Sequence, residues 1–413
     1  MALRTLIVIQ LLRHAAFSLT VPPRATSKFD IVSLAALPPV STPVSDWQHD
    51  GKAAEWAEGY PKKWGSEQPH SLSLFGPGTV TPDEKFLIMI NDTNTRITDL
   101  HTGATVADIA QTGDDARITV SPQGGYDLLI STHRPQWTGS DIYHYTLSKE
   151  GAPVADPIKI AGETTSFDQN VFLGRRYTAS QQNEAFIYDL DNPEAIVTLN
   201  GHSDGIMSAA FSPDGRYVAT AAWDGKGKLW SAKNGTFLSD FESSTAQNWV
   251  TRFSPNGEYL AIGNGERTAK IYTVANLTAP PIVISEFSQW VRNLEWSPDG
   301  KYIAGGSWGK VLVYSLAEGK VVQKWELDDE GKRYFEIVDV TWLEGGKRIA
   351  YRYQATLEVY DFESNLKYAW GPGANDTYLN GFNVGGTFLL KKRGWIGGFD
   401  WDHSVRFWKY PAA

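Results

Sequence analysis

Three stretches of this chain repeat one another almost letter for letter. They are Ser212-Pro-Asp-Gly215-Arg-Tyr-Val-Ala219, Ser254-Pro-Asn-Gly257-Glu-Tyr-Leu-Ala261 and Ser297-Pro-Asp-Gly300-Lys-Tyr-Ile-Ala304. Each reads as a tight turn followed by an alternating, half-buried strand. Asp-Gly and Asn-Gly supply the backbone freedom that a hairpin turn needs. Tyr, Val, Ile and Leu after the turn suit a pleated surface. The three glycines recur about every 42 residues, too long a period for leucine-rich or ankyrin repeats and the right one for four strands per unit. Units of this kind cannot bury their apolar faces alone, so the array must stack into a shared core.

Weaker copies extend the pattern in both directions. Taken in order, the turns fall at Glu84, Gly124, Gly174, Gly215, Gly257, Gly300, Gly346 and Gly386. After each turn comes a strand, a polar turn and a second strand, ending in an aromatic at Tyr188, Trp230, Tyr272, Tyr314, Tyr360 and Trp408. A further apolar strand precedes the next copy. The phase predicts an all-β propeller of eight four-stranded blades, with seven as the alternative. The final copy runs out of chain before its fourth strand. An open blade leaves an unpaired edge, so the missing strand is expected from the N-terminal region, where Phe29 to Leu37 is the best strand candidate. The expected organisation is a targeting segment or irregular N-terminus over 1–27, a closing strand with a Trp-rich insert over 28–70, and the repeats over 71–413.

Composition narrows the function classes. A net charge of −9 disfavours a general nucleic-acid or anionic-membrane binder. The absence of cysteine excludes disulfides, zinc-thiolate sites and thiol catalysis. Leu6 to Leu12 is apolar but too short to span a membrane. That run, with Arg4, Arg13 and Arg24 around it, leaves secretory, mitochondrial and intracellular destinations open, the last (cytoplasmic or nuclear) as the default. The sequons at Asn91, Asn234, Asn276 and Asn375 lean towards secretion.

Gly201-His202, Ser212-Pro-Asp-Gly215, Asp224 and Trp230 follow one another in an order and spacing that resembles the WD-repeat β-propeller family, and Asp402 and Trp408 match the later part of that pattern. The resemblance covers residues 71–413. It implies that His202, Asp224 and Trp230 form an internal hydrogen-bond network of the repeat rather than a catalytic group, with Asp402 and Trp408 their counterparts in the last copy. Ala222 stands where the family usually has the serine of that network. The closing Trp-Asp of the family becomes Trp230-Ser231, Tyr360-Asp361 and Trp408-Lys409.

No phosphate-binding loop, zinc-protease helix, nucleophile elbow or calcium loop occurs, and no cofactor or metal is implied. The distinctive feature is sixteen tryptophans. In the topology that the resemblance implies, the connections between blades and the turns between second and third strands share one face, the upper one. Trp249 and Trp290 precede or open innermost strands; Trp223, Trp308 and Trp395 sit at or beside second-to-third-strand turns; Trp137 lies in a long excursion of the second copy. Arg134 accompanies Trp137, and Lys391, Lys392 and Arg393 accompany Trp395. Trp with Arg is the typical composition of interface hot spots. The expectation is a non-catalytic scaffold presenting this face to a protein or peptide. The alternative is a propeller enzyme or glycan binder using the same aromatic face.

Overall fold

The computed structural model describes residues 78–371 and 387–409 apart from short internal stretches, together with Ser45–Asp46 and Ala57–Glu58. Each hairpin begins at a turn wired by its own side chains. Ser212 Oγ donates to Asp214 Oδ1 (2.6 Å) and accepts the Tyr217 N–H (3.0 Å), while Asp214 Oδ1 also accepts the Arg216 N–H. Ser254 with Asn256, and Ser297 with Asp299, repeat these contacts within 0.1 Å. Asn and Asp alternate at that position because the turn uses only a side-chain oxygen, which both carry.

From each turn the chain folds into an antiparallel sheet, its strands in sequence order from the innermost outward. The 206–240 sheet is typical: Ile206–Phe211, Tyr217–Ala222, Gly227–Ser231 and Phe237–Asp240 pair in succession. Among the described residues there are six such four-stranded sheets, over 78–109, 115–164, 172–200, 206–240, 248–284 and 293–326. Innermost strands of neighbouring sheets lie against one another at several junctions, as Ile206–Phe211 does with Asn248–Phe253 and Asn293–Trp296 with Ile337–Leu343, the arrangement of a β-propeller.

The expectation of eight blades, or seven, is corrected by this topology: among the described residues six sheets are four-stranded blades, and the two C-terminal sheets depart from the pattern. The 337–371 sheet has six strands, because Ser45–Asp46 and Ala57–Glu58 both pair with its outermost strand Leu366–Gly371. Among the described residues the last sheet has three, Thr387–Leu390, Trp395–Phe399 and Val405–Lys409. Phe29 to Leu37, the expected closing strand, lies outside the described residues. The phase in the last copy also differs from expectation. Its first hairpin turn is Lys391–Gly394, not the Gly386 turn, because Thr387–Leu390 is the first strand of that sheet rather than the second.

The core is built between sheets. One cluster joins Ala210, Ala219 and Leu229 of one sheet to Phe253, Leu260, Ile262 and Tyr272 of the next. Another joins Val311, Val313 and Trp325 to Ile337, Trp342, Ile349 and Tyr351. The same holds across the four other junctions from the first sheet to the seventh. Where the last sheet meets the first, the Lys392 N–H donates to Glu84 Oε1 at 2.8 Å and Lys392 Nζ to the Asp83 carbonyl at 3.3 Å. Glu84 adopts φ 63 where the strong copies have glycine.

Two glycines with positive φ separate backbone strain from steric exclusion. Gly257 (φ 74) has Pro213 Cδ at 3.6 Å from where a Cβ would stand, which is ordinary contact. Gly225 (φ 79) would drive a Cβ into the Ser244 carbonyl oxygen. Gly257→Ala should therefore cost about 1 kcal/mol, the strain of the left-handed region. Gly225→Ala should cost at least twice as much in the same chemical denaturation experiment. Equal losses would show that the close approach at Gly225 is not maintained in solution.

Candidate functional site

Backbone contacts define the two faces. On one, the Trp223 N–H donates to the Gly205 carbonyl and the Gly265 N–H to the Gln247 carbonyl. In both cases a second-to-third-strand turn meets the connection that enters its own sheet. On the other, the Ala232 N–H reaches Arg216, Val274 reaches Glu258 and Leu316 reaches Lys301, joining the outer turn of each sheet to its Ser-Pro-Asp-Gly turn. The first is the upper face.

On that face a row of aromatic rings runs across the 206–240, 248–284 and 293–326 sheets. The rings of Trp223 and Trp249 meet edge to face with centroids 5.6 Å apart. Those of Trp249 and Trp290 stack at 5.4 Å, 17° from parallel. The Arg292 guanidinium lies 4.3 Å from the Trp249 centroid and 5.1 Å from that of Trp290. Arg292 Nη1 donates to Glu336 Oε1 at 3.0 Å, and Glu336 forms a backbone bridge with Trp308. Five aromatic or charged groups thus follow the first tryptophan without a break: Trp249, Trp290, Arg292, Glu336 and Trp308. Trp290 is 38% exposed and Trp308 41% exposed, while Trp223 and Trp249 are half-buried beneath them.

Trp395 does not join this row. It is buried and opens the strand after the Lys391–Gly394 turn, which touches the Asp83–Glu84 turn of the first sheet. Trp395, Lys391 and Lys392 therefore sit on the face opposite to the one expected, a consequence of the shifted phase in the last copy. Trp137, Arg134, Arg393 and Asp402 lie outside the described residues, and Trp408 is placed only through its backbone pairing with Ile396. Sequence reasoning missed Arg292 and Glu336. The available signal was an arginine two residues beyond Trp290, close enough to return to the same ring.

The His202 network is internal to its sheet. Trp230 Nε1–H donates to Thr220 Oγ1 (2.9 Å), and Thr220 Oγ1 lies 2.7 Å from His202 Nε2. His202 Nδ1 lies 2.9 Å from Asp224 Oδ2, which also accepts the Ser203 N–H. Because the carboxylate demands a donor, the proton sits on Nδ1, and Nε2 accepts from the Thr220 hydroxyl. The hydroxyl that Ala222 lacks is thus supplied by Thr220, two residues earlier on the same strand and pointing the same way. Burial alone would raise the Asp224 pKa, but the bonds from His202 and the Ser203 N–H hold it below the ordinary carboxylate value.

The Glu295 carboxyl feels charges from three other sheets, those of Arg252, Asp339 and Lys391. Burial pushes the Glu295 carboxyl up to about 7; Arg252 and Lys391 oppose the rise and Asp339 adds to it. Burial also raises Asp339, against hydrogen bonds from the Thr387 hydroxyl and N–H. Among the described residues no group of three or more His, Asp or Glu side chains could hold a metal ion, and no helix is long and apolar enough to cross a membrane.

Sheets stacked through buried inter-sheet clusters, with turns of this wiring and a His–Thr–Trp network, define a β-propeller of the WD type. In sequence the chain is similar to the WD-repeat β-propeller family over two stretches. The family model described as WD domain, G-beta repeat, matches residues 193–231 and 282–315. Among curated relatives, pre-mRNA-processing factor 19 of Oryza sativa subsp. japonica is 31% identical over 30% of this chain and 25% of its own length. The serine-threonine kinase receptor-associated protein of Gallus gallus is 26% identical over 45% of this chain and 54% of its own. The chain thus spans between a quarter and about half of these two relatives. Two solved structures share the fold at low identity. The computationally designed Ika8 protein has a TM-score of 0.61 at 14% identity, covering 84% of this chain and 98% of that one. Chaetomium thermophilum Sqt1, bound to the N-terminus of the ribosomal protein L10, has 0.63 at 15%, covering 81% of this chain and 95% of that one.

Two predictions test these assignments. Thr220→Val removes the hydroxyl between two buried ring nitrogens and should cost about 2–3 kcal/mol in urea unfolding, with the fold retained; a loss within about 0.5 kcal/mol would mean that the network carries no stability. The second concerns Glu295. Its folded pKa of about 7 lies above the ordinary glutamate value of 4.5, so the folded state holds a proton that the unfolded state releases between those pH values. Stability from this group is therefore intact in acid, falls through that window and reaches its full cost above it. Glu295→Gln should stabilise the protein at pH 8 by no more than about 3 kcal/mol and leave it unchanged near pH 4. Parallel stability–pH profiles for the two proteins would refute the shift.

Proposed function

We infer that this protein is a non-catalytic scaffold that docks a protein or peptide partner on its upper face. The carrying observation is the continuous row from Trp223 to Trp308, whose two ends differ in exposure: the inner rings are packed and the outer two are open. Large rigid rings lose little conformational entropy on contact, and a packed row beneath holds them in place. Sqt1, which shares the fold at 15% identity, was solved with the N-terminus of a ribosomal protein bound, and that is in keeping with a docking role for this architecture. The wider reading places the repeat body at 71–413, with residues 28–70 as an addition to it.

The test separates docking from packing. Trp290→Ala and Trp308→Ala should each weaken a partner found by co-purification, at least one by about 2 kcal/mol or roughly thirtyfold, with melting temperature nearly unchanged. His202→Ala should do the reverse, lowering the melting temperature with little effect on binding per folded molecule. Unaltered binding in both tryptophan variants would remove the upper face from the account.

A further inference from the structure

The unmet hydrogen-bonding capacity in the tryptophan row is all of one kind. Trp223 Nε1, Trp249 Nε1 and Arg292 Nε are buried N–H groups without an acceptor. None of the three can accept a hydrogen bond. Buried donors are nearly always satisfied, so three neighbouring exceptions call for a missing acceptor. The cation among them is fixed in place. The Arg292 guanidinium is held against two indole rings at 4.3 and 5.1 Å. It pairs with Glu336 through Nη1, and the Glu336 side chain is itself 38% exposed.

We propose that the partner docks through a carboxylate, an Asp or Glu side chain flanked by apolar residues, which takes the place of Glu336 on Arg292 while those apolar neighbours cover Trp290 and Trp308. This proposal rests on the upper-face reading and specifies its chemistry. Glu336 is then an internal stand-in that keeps the guanidinium paired while the face is empty. A guanidinium prefers two parallel bonds to one carboxylate, and the present pair uses one. A free carboxylate approaching from solvent is not tied to a backbone and can take the two-bond geometry through Nη2 or, after rotation of the guanidinium, through Nε.

The chain's net charge of −9 opposes this at long range. That repulsion is screened beyond about 8 Å at physiological ionic strength. Direct contact with Arg292 is made inside that distance, so the local charge decides affinity while the global charge slows encounter. Binding should accordingly become faster, not weaker, as salt is raised through the low range.

The experiment uses the full chain and three labelled peptide panels of equal length in fluorescence polarisation. One is rich in Asp and Glu with aliphatic and aromatic neighbours, one carries Asn and Gln at the same positions, and one carries Lys and Arg there. The acidic panel should bind at least tenfold more tightly than its amide counterpart. Arg292→Lys keeps the charge and loses the planar fork, and should weaken acidic peptides about tenfold. Glu336→Gln removes the internal competitor and should tighten them several-fold. Circular dichroism melts check that both variants are folded. Equal binding of acidic and amide panels, preference for the basic panel, or no binding in any panel would overturn the proposal. If Trp290→Ala abolishes binding while the charge changes do nothing, docking at the upper face survives and the carboxylate does not. If Trp290→Ala and Trp308→Ala leave binding intact, both fall.

Discussion

Every sheet in this molecule depends on the next one for its core. The buried clusters pair residues from neighbouring sheets, as Val250, Ala261 and Ile271 do with Leu294, Trp296 and Ile303. A single hairpin set cut from the chain would expose one whole apolar face. This dependence explains why the upper-face tryptophans can be held rigid without a scaffold of their own. Trp249 sits at the start of a strand whose next residue, Val250, is part of an inter-sheet cluster, so the ring inherits the position of the stack. Function here is arranged by the same contacts that make the fold.

Polar wiring is layered on this apolar frame. Trp296 Nε1 donates to the Arg252 carbonyl and Trp342 Nε1 to the Glu295 carbonyl, at 3.0 and 3.1 Å, so each of these rings packs in one junction and bonds across it. Between the last sheet and the first, Lys392 bonds to Glu84 and to the Asp83 carbonyl. The Glu84 side chain is buried and gives the seam an acceptor, which accounts for a non-glycine residue at a left-handed turn position. In a quasi-linear array, stability is a sum of units and junctions, and these polar bonds contribute to the junction between the last sheet and the first.

Much of this was legible in the residues. The Ser-Pro-Asp-Gly turns specify their own geometry through local side-chain bonds, so three strong copies located three hairpins to the residue. His202, Asp224 and Trp230 were readable as a network for the same reason of fixed spacing. Thr220 was missed because Ala222 drew attention to a vacancy, while strand alternation allows the residue two places earlier to fill it. The last copy was misphased because Gly385-Gly386 looks more like a hairpin turn than Lys391-Lys392-Arg393-Gly394 does, and that error carried Trp395 to the wrong face. Blade count failed because it depends on which strands pair at the ends of the array, and edge pairing is set by tertiary geometry, not by period. Arg292 and Glu336 meet across two sheets, a distance in sequence at which spacing carries no information.

The stacked pair Trp249 and Trp290 gives the molecule an optical property. Two indoles 5.4 Å apart and 17° from parallel couple their electronic transitions, and the adjoining guanidinium shifts those transitions through its field. The upper face therefore has a near-ultraviolet signature distinct from that of isolated tryptophans elsewhere in the chain. Any event that slides one ring relative to the other rewrites that signature, so the face reports its own occupancy without a label.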